Sequence, residues 1–424
     1  MDEFRDVKED GLELLEHEIR EIRMGEPSRL KGGILQVNPE DIRAIVARKP
    51  GIRIVRVEAV APETSVRLAP VLDVVEPRAK EDREASAFPG WTGPPGGAGR
   101  GPTHILKGTA VVAVCRLPGV QEGIIDMTAE AAPFCPFSRT RNLMLAFEPD
   151  PDTERAAADE AVRKSLLGVA EFLGGLARGM EPSRTQFLQW PLPLCSLPRA
   201  GLVYLVQSQG DLRRTYVYGQ PVDRILPTVL DPLEVLDSAV VSGNFVIPSN
   251  KSCTYIHQNH PLILEMLARH GREVNFSGVI LANEMSRLGD KERSAAFVVK
   301  LARLLNAEGV VVNQEGGGNT LTDVMMVCRL LKREGISTVL VVNEFAGEDG
   351  TTPSLTETTP EATAIVSTGN NDHQITLPAV KEFIGFPPFP GVEGDLSGEI
   401  TVPLSRVYGS TNQLGFNTLS CTTV

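Results

Sequence analysis

Basic charge is in short supply here: 42 Lys and Arg stand against 54 Asp and Glu, a formal net charge of -12. An acidic surface of that size repels phosphate backbones and anionic headgroups, which argues against nucleic acid and membrane surfaces as partners. Long apolar runs are missing as well, and none reaches the ~20 residues a membrane-spanning helix requires. The opening MDEFRDVKEDGLELLEHEI is too acidic and too interrupted for a secretory leader, so a cytoplasmic protein is expected. The six cysteines, Cys115, Cys135, Cys195, Cys253, Cys328 and Cys421, form no C-x-x-C pair. That spacing argues against a disulfide scaffold or structural zinc and predicts six reduced thiols. No repeat of ~20 to 50 residues is present, which excludes solenoids and propellers.

What is present is the balance of a globular protein, 42% hydrophobic and 23% charged over 424 residues. That length exceeds one ordinary hydrophobic core, so two or three packed domains are expected. Leu12, Leu15, Ile19 and Ile22 fit the face of a helix, a turn follows at Lys31-Gly32-Gly33, and ILQV reads as a strand. Residues 40–48 read as a short helix, and IRIVRVEAVAP alternates like a half-buried strand. Residues 80–103 are too rich in Gly and Pro for regular structure, and a loop that long is either functional or mobile. TAVVAVC and LMLAFEP read as strands, and DTERAAADEAVRKSLLGVAEFLGGLARG as a helix. The first half is therefore mixed α and β. Past Asn275, Val/Ile-rich runs alternate with amphipathic helices, which predicts parallel strands at 278–283, 309–314, 337–343 and 363–367 with helices on both faces. The expected fold is α/β: a mixed α+β N-terminal half at 1–244 and a doubly wound parallel-sheet domain at 245–424.

Ligands of open α/β sheets bind beyond the carboxyl ends of the strands. Every strand of the C-terminal half ends in amides or acids: Asn283-Glu284, Asn313-Gln314-Glu315, Asn343-Glu344 and Thr368-Gly369-Asn370-Asn371. Gly316-Gly317-Gly318-Asn319 then leads into a helix, whose free N–H groups suit a carboxylate or phosphate. It lacks the Lys-Ser/Thr of a P-loop and the spacing of a dinucleotide fingerprint. Convergence of these loops makes Asn283, Glu284, Glu315, Asn319, Glu344 and Asn370 the candidate substrate-binding residues. The three acids would surround a substrate ammonium and the helix start would take its carboxylate. The competing explanation is that the glutamates cap helices and face solvent. A second candidate is Ser242–Pro261, dense in Ser, Thr, Cys, Asn and His. There Cys253 and His257, four apart, have the spacing of a thiolate and its base. His257 and His260 lack a convincing third ligand, so no metal is assigned.

Eight segments, in order, carry a resemblance to a known family: KGGILQVN (31–38), SVRLAPVLDVVEPR (65–78), THILKG (103–108), QEGIIDM (121–127), TYVYG (215–219), ARHG (268–271), DKERS (290–294) and EFAGEDG (344–350). The chain resembles the proprotein subunit of component B of the glycine, sarcosine and betaine reductases, to which the D-proline reductase proprotein is related. The resemblance implies self-cleavage before a cysteine that follows Ser-Gly-Asn, leaving a pyruvoyl group that forms a Schiff base with the substrate amine. It also implies a selenoprotein partner whose selenocysteine takes the carbon, and residues 1–244 and 245–424 resemble the two cleavage products. Here Ser242-Gly243-Asn244 is followed by Phe245. Cleavage by this route needs a hydroxyl or thiol that attacks the preceding carbonyl and then leaves by β-elimination. A benzyl side chain does neither, so no pyruvoyl is expected at Phe245. Cys253 is the substitute position, with cleavage at Ser252-Cys253. Three hypotheses follow: a subunit of an amine reductase, a non-catalytic paralogue that binds a small amino acid or carboxylate, and a nucleotide-binding α/β enzyme, which leaves the eight segments unexplained.

Overall fold

The computed structural model describes residues 11–117, 123–190, 196–209, 212, 214–243, 247–389, 392, 394–417 and 419–421. Four layers stack in it. The outermost is the helix Arg155–Gly175, whose run of Ala, Leu and Val lays Val162, Leu166, Val169 and Leu173 on one face of a mixed sheet. That sheet runs in the order Gly123–Asp126, Val66–Val75, Thr109–Cys115, Arg141–Pro149, Ile52–Val60, with Glu382–Gly385 also paired to Val66–Val75. Its other face, including Val112, Val114 and Met144, meets Tyr204, Val206 and Phe276 of a second sheet in the largest core. Beyond the second sheet lie the helices Leu288–Leu304 and Asn319–Arg333, burying Val298, Ala302, Val324 and Leu331 against it.

The second sheet has the order Thr228–Leu230, Asn275–Glu284, Arg199–Gln207, Gly309–Asn313, Ser337–Glu344, Ile365–Asn370, Ser420–Cys421. Its five inner strands are parallel, and the two edge strands are antiparallel. All four expected strands are present. Asn275–Glu284 and Gly309–Asn313 are not neighbours, however, because Arg199–Gln207 lies between them. The chain leaves Arg199–Gln207 in one direction, through the short helices Thr254–Gln258 and Pro261–Arg269, and returns past it in the other through Leu288–Leu304. The two long helices therefore cover one face, whereas the first sheet and the short helix Pro261–Arg269 share the other, so the expected helices on both faces are replaced on one side by sheet-on-sheet packing; the winding reverses between Arg199–Gln207 and Gly309–Asn313. Residues on each side of position 244 contribute to both large sheets.

One expected element is different. Leu12–Glu18 is a strand, not a helix, held between Gly101–Lys107 and Arg184–Leu188. Its buried Leu12 and Leu14 alternate with half-buried neighbours, and pairing with two distant strands decides the conformation. The Gly/Pro-rich loop between residues 80 and 103 packs down on the outer helix, with Ala87 N donating to Glu171 Oε1 at 2.7 Å. Gly90 is required there: its φ is +82°, and a Cβ would lie 2.2 Å from the Tyr218 carbonyl oxygen. No helix among the described residues is long and apolar enough to cross a membrane.

Candidate functional site

The reversal of winding places the carboxyl ends of Arg199–Gln207 and Gly309–Asn313 side by side, where a parallel sheet opens a crevice. Glu315, two residues past its strand, turns back into that crevice and is 1% exposed. Its carboxylate accepts from Ser252 N at 3.0 Å on one side, and from Gln207 N and Thr215 Oγ1, each at 3.2 Å, on the other. Its own N–H donates to Glu284 Oε1 at 2.9 Å, which joins the ends of two strands. Behind Glu284, Lys291 Nζ is paired with Asp323 and donates to Asn319 O at 3.0 Å.

Ser252 shows that the two candidate regions of the sequence are one. The segment 249–254 runs along the same edge, with Asn343 Nδ2 donating to Asn250 Oδ1 at 2.9 Å. A third segment, 410–413, closes it. Gln413 Nε2 donates to Gly316 O at 2.7 Å and to Asn343 Oδ1; Asn412 Nδ2 donates to Lys251 O at 3.0 Å; Thr411 Oγ1 donates to Asn371 Oδ1 at 2.7 Å. Sequence reasoning did not single out 410–413, although its Ser-Thr-Asn-Gln run has the same composition as the other strand-end loops. Several buried polar atoms in this network have no hydrogen-bond partner among the described residues: Gln207 Oε1, Asn250 Nδ2, Glu284 Oε2, both amide atoms of Asn313, Asn371 Nδ2 and Gln413 Oε1. Buried groups of this kind are ordinarily satisfied, so a cluster of them marks a place built to meet something polar.

Burial dominates the electrostatics. It pushes the Glu284 carboxyl well above the usual range, with the charge of Asp323 adding to it, and it also raises Glu315 despite the N–H groups that oppose it. Asp323 is raised by burial to about 6 against the pull of Lys291. Asp73 accepts from Thr254 N at 3.1 Å and Thr254 Oγ1 at 2.7 Å; burial raises it and lowers the neighbouring buried Lys251 amine, so desolvation outweighs their attraction. For Cys253 burial, reinforced by Asp73, lifts the thiol well above its ordinary range, while burial drives His257 well below its own. The thiolate and base weighed from their spacing are therefore a protonated thiol and a neutral imidazole. His257 Nδ1 is instead bonded to Tyr204 OH, and His260 Nδ1 accepts from Ile263 N at 3.3 Å.

The six candidate substrate residues part company. Glu284 and Glu315 meet in the crevice. Asn319 stands at its exposed mouth, its Nδ2 donating to Gln209 Oε1 at 3.3 Å. Asn283 faces away: its Nδ2 holds Val222 O at 3.0 Å and Ile225 O at 2.8 Å. Glu344 is bonded to Ser367, and Asn370 orders a turn by accepting from Ala346 N at 3.0 Å. Asn244 and Phe245 lie outside the described residues. Just before them, Ser242 N donates to Thr254 Oγ1 at 3.1 Å and Ser242 O accepts from Arg163 Nε at 3.3 Å, so this junction leads out of the same buried network.

The residues present do not fit a pyruvoyl group. Phe245 offers no heteroatom. Ser249 is bonded to Asn371, Ser252 Oγ accepts from Asn412 Nδ2 at 3.2 Å, and Thr254 Oγ1 is committed to Asp73. The Cys253 thiol is held protonated.

Residues 11–422 match the family described as glycine/sarcosine/betaine reductase component B subunits. Three relatives come from Peptoclostridium acidaminophilum. The glycine reductase complex component B subunits alpha and beta are 38% identical, over 95% of this chain and 97% of the relative. The sarcosine reductase complex component B subunit alpha is 36% identical, over 96% and 99%. The betaine reductase complex component B subunit alpha is 35% identical, over 95% and 92%. No solved structure matches.

Proposed function

This chain belongs to the glycine/sarcosine/betaine reductase component B family, subunits of amine reductase complexes, and from that premise we propose that it is the subunit that holds a small amino acid at the carboxyl edge of its parallel sheet. The observation that carries this reading is the cluster of buried polar atoms without partners around Glu284, Asn313 and Gln413. Oxygens there suit the ammonium end of a zwitterion, and the Asn250 and Asn371 amide nitrogens suit its carboxylate. A cation between the neighbouring acids Glu284 and Glu315 would draw both toward their ionised forms, its attraction offsetting the desolvation that raises them.

Other components of the complex then supply the reduction, and the partner implied is a selenoprotein subunit. Residues 1–244 and 245–424 correspond to the two products implied by the resemblance, kept here as one polypeptide because Phe245 cannot start the cleavage. The same Phe245 favours a second reading, a non-catalytic paralogue that binds its ligand as scaffold or regulator. Turnover in a complex reconstituted with the remaining components separates the two.

Ligand-observed NMR of glycine with the full chain tests the site itself. Saturable binding is expected in the wild type, weakened at least tenfold by Glu284→Gln. No saturable binding, or equal affinity in both proteins, removes the crevice as the substrate site.

A further inference from the structure

The outer helix, far from serving only as a cover, forms the floor of a cleft that shares no residue with the crevice. Gly168 and Gly175, seven apart and so on one face of the helix Arg155–Gly175, keep that floor low. One wall is the helix Pro39–Val46 with the two basic residues just beyond its end, and the other is the Gly/Pro-rich loop at 83–94. The cleft has a volume of about 850 Å³, inside the range of ~300–1,000 Å³ typical of small-molecule sites.

On a chain with a net charge of -12 its lining is basic: Arg48, Lys49, Arg83, Lys164 and Arg178 stand against Asp41, Glu84 and Glu171. Two of the acids are engaged, Asp41 Oδ2 accepting from Ser28 Oγ at 2.6 Å and Glu171 Oε1 from Ala87 N, while Glu84 is exposed. Among the cations, Lys164 is paired with Glu160, and Arg178 Nε donates to Lys80 O at 2.7 Å. Arg48 and Lys49 on one wall and Arg83 on the other have no ion-pair partner among the described residues. Free cations on both walls call for more than one negative charge, and the guanidinium fork matches phosphate oxygens.

Unmet donors point the same way. Trp91 lines the cleft, and the guanidinium of Arg163, from the helix that makes the floor, lies 5.4 Å from its ring centre. Arg163 is 2% exposed, and its Nη1 is 3.0 Å from Asp159 Oδ2. Yet Arg163 Nη2 and Trp91 Nε1 are buried with no hydrogen-bond partner among the described residues. Buried donors of this kind are ordinarily satisfied, and next to unpaired cations the acceptors that suit them are anionic oxygens.

We propose that this cleft binds a small polyphosphorylated molecule, at a site separate from the substrate crevice. Arg48, Lys49 and Arg83 hold its phosphates, and the indole N–H of Trp91 donates to it.

Calorimetric titration of the full chain at low ionic strength, with ATP and with inorganic tripolyphosphate in separate runs, tests this. Saturable binding is expected, weakened at least tenfold in the Arg48→Ala, Lys49→Ala double variant. Neither side chain is buried, so that variant should fold as the wild type does. Trp91→Phe, which keeps a ring and removes the N–H, should weaken binding several-fold. Tripolyphosphate as tight as ATP, or tighter, identifies the phosphate chain as the whole of what is recognised, and tighter ATP adds the nucleoside; either result supports the proposal. No saturable binding of either ligand at millimolar concentration, or an affinity that the double variant leaves unchanged, overturns it, whatever glycine does at the crevice.

Discussion

Glu315→Gln tests the crevice without any ligand. In the wild type both carboxylate oxygens accept, one from Ser252 N and the other from Gln207 N and Thr215 Oγ1. An amide has one oxygen, so its nitrogen must face either Ser252 N or Gln207 N, donor against donor. The Thr215 hydroxyl can rotate to accept, but a buried backbone N–H stays unpaired in either orientation, at a cost of about 1–3 kcal/mol. The pH dependence sharpens the expectation. Burial raises Glu315 above its ordinary 4.5. A raised carboxyl contributes stability that is fully present below its unfolded value and is lost as pH rises through its folded one. Glutamine does not titrate, so the deficit of the variant should be larger at about pH 5, close to the unfolded value, than at about pH 8. Denaturant midpoints of the two proteins at both pH values, followed by tryptophan fluorescence, measure it. Equal stability near pH 5, or a deficit that widens as pH rises, would refute the picture of Glu315 as a buried acid held by three donors.

Two further outcomes follow from chemistry described above. The purified protein should run under denaturing conditions as one 45.8 kDa chain; two fragments summing to that mass, one blocked at its N-terminus and reactive toward hydrazines, would contradict the reading of Phe245. Arg67→Met should destabilise by about 3–5 kcal/mol, because Arg67 is fully buried, pairs with Asp126 at 2.7 Å and donates to the carbonyls of Pro378, Leu396 and Gly398. A melting temperature within about 1 °C of the wild type would show that those contacts contribute little.

The C-terminal alternation of strand and helix was legible because each unit is local: an apolar run, a glycine or amide turn, an amphipathic helix. Leu12–Glu18 was not, since apolar residues at 12, 15, 19 and 22 suit a helix and only pairing with residues 101–107 and 184–188 makes the segment a strand. The place of Arg199–Gln207 inside the parallel sheet was hidden for the same reason. At the site, the strand-end rule led to Glu284 and Glu315. It treated Asn283, Glu344 and Asn370 as equivalent to them, although alternation of faces and local turns send those side chains elsewhere. The meeting of 249–254 and 410–413 at one edge is a contact across 160 residues of chain, and no local pattern encodes it. What the sequence did carry, unread, was buried charge. SVRLAPVLDVVEPR contains Arg67, Asp73, Glu76 and Arg78, each no more than 4% exposed, and QEGIIDM contains Asp126, the partner of Arg67.

The placement of Arg199–Gln207 between two later strands, and of Glu382–Gly385 beside Val66–Val75, makes the two halves of this chain mutual templates. Neither half closes its own sheet: taken alone, one would leave a gap where its central strand belongs, and the other would carry that strand with no neighbours to satisfy its backbone. The covalent link near residue 244 is then a tether, and the ladders of hydrogen bonds across the seam are the true joint. A fold joined in this way is indifferent to whether that tether is cut. The identity of the side chain at position 245 can therefore decide the chemistry of the molecule while leaving its architecture untouched.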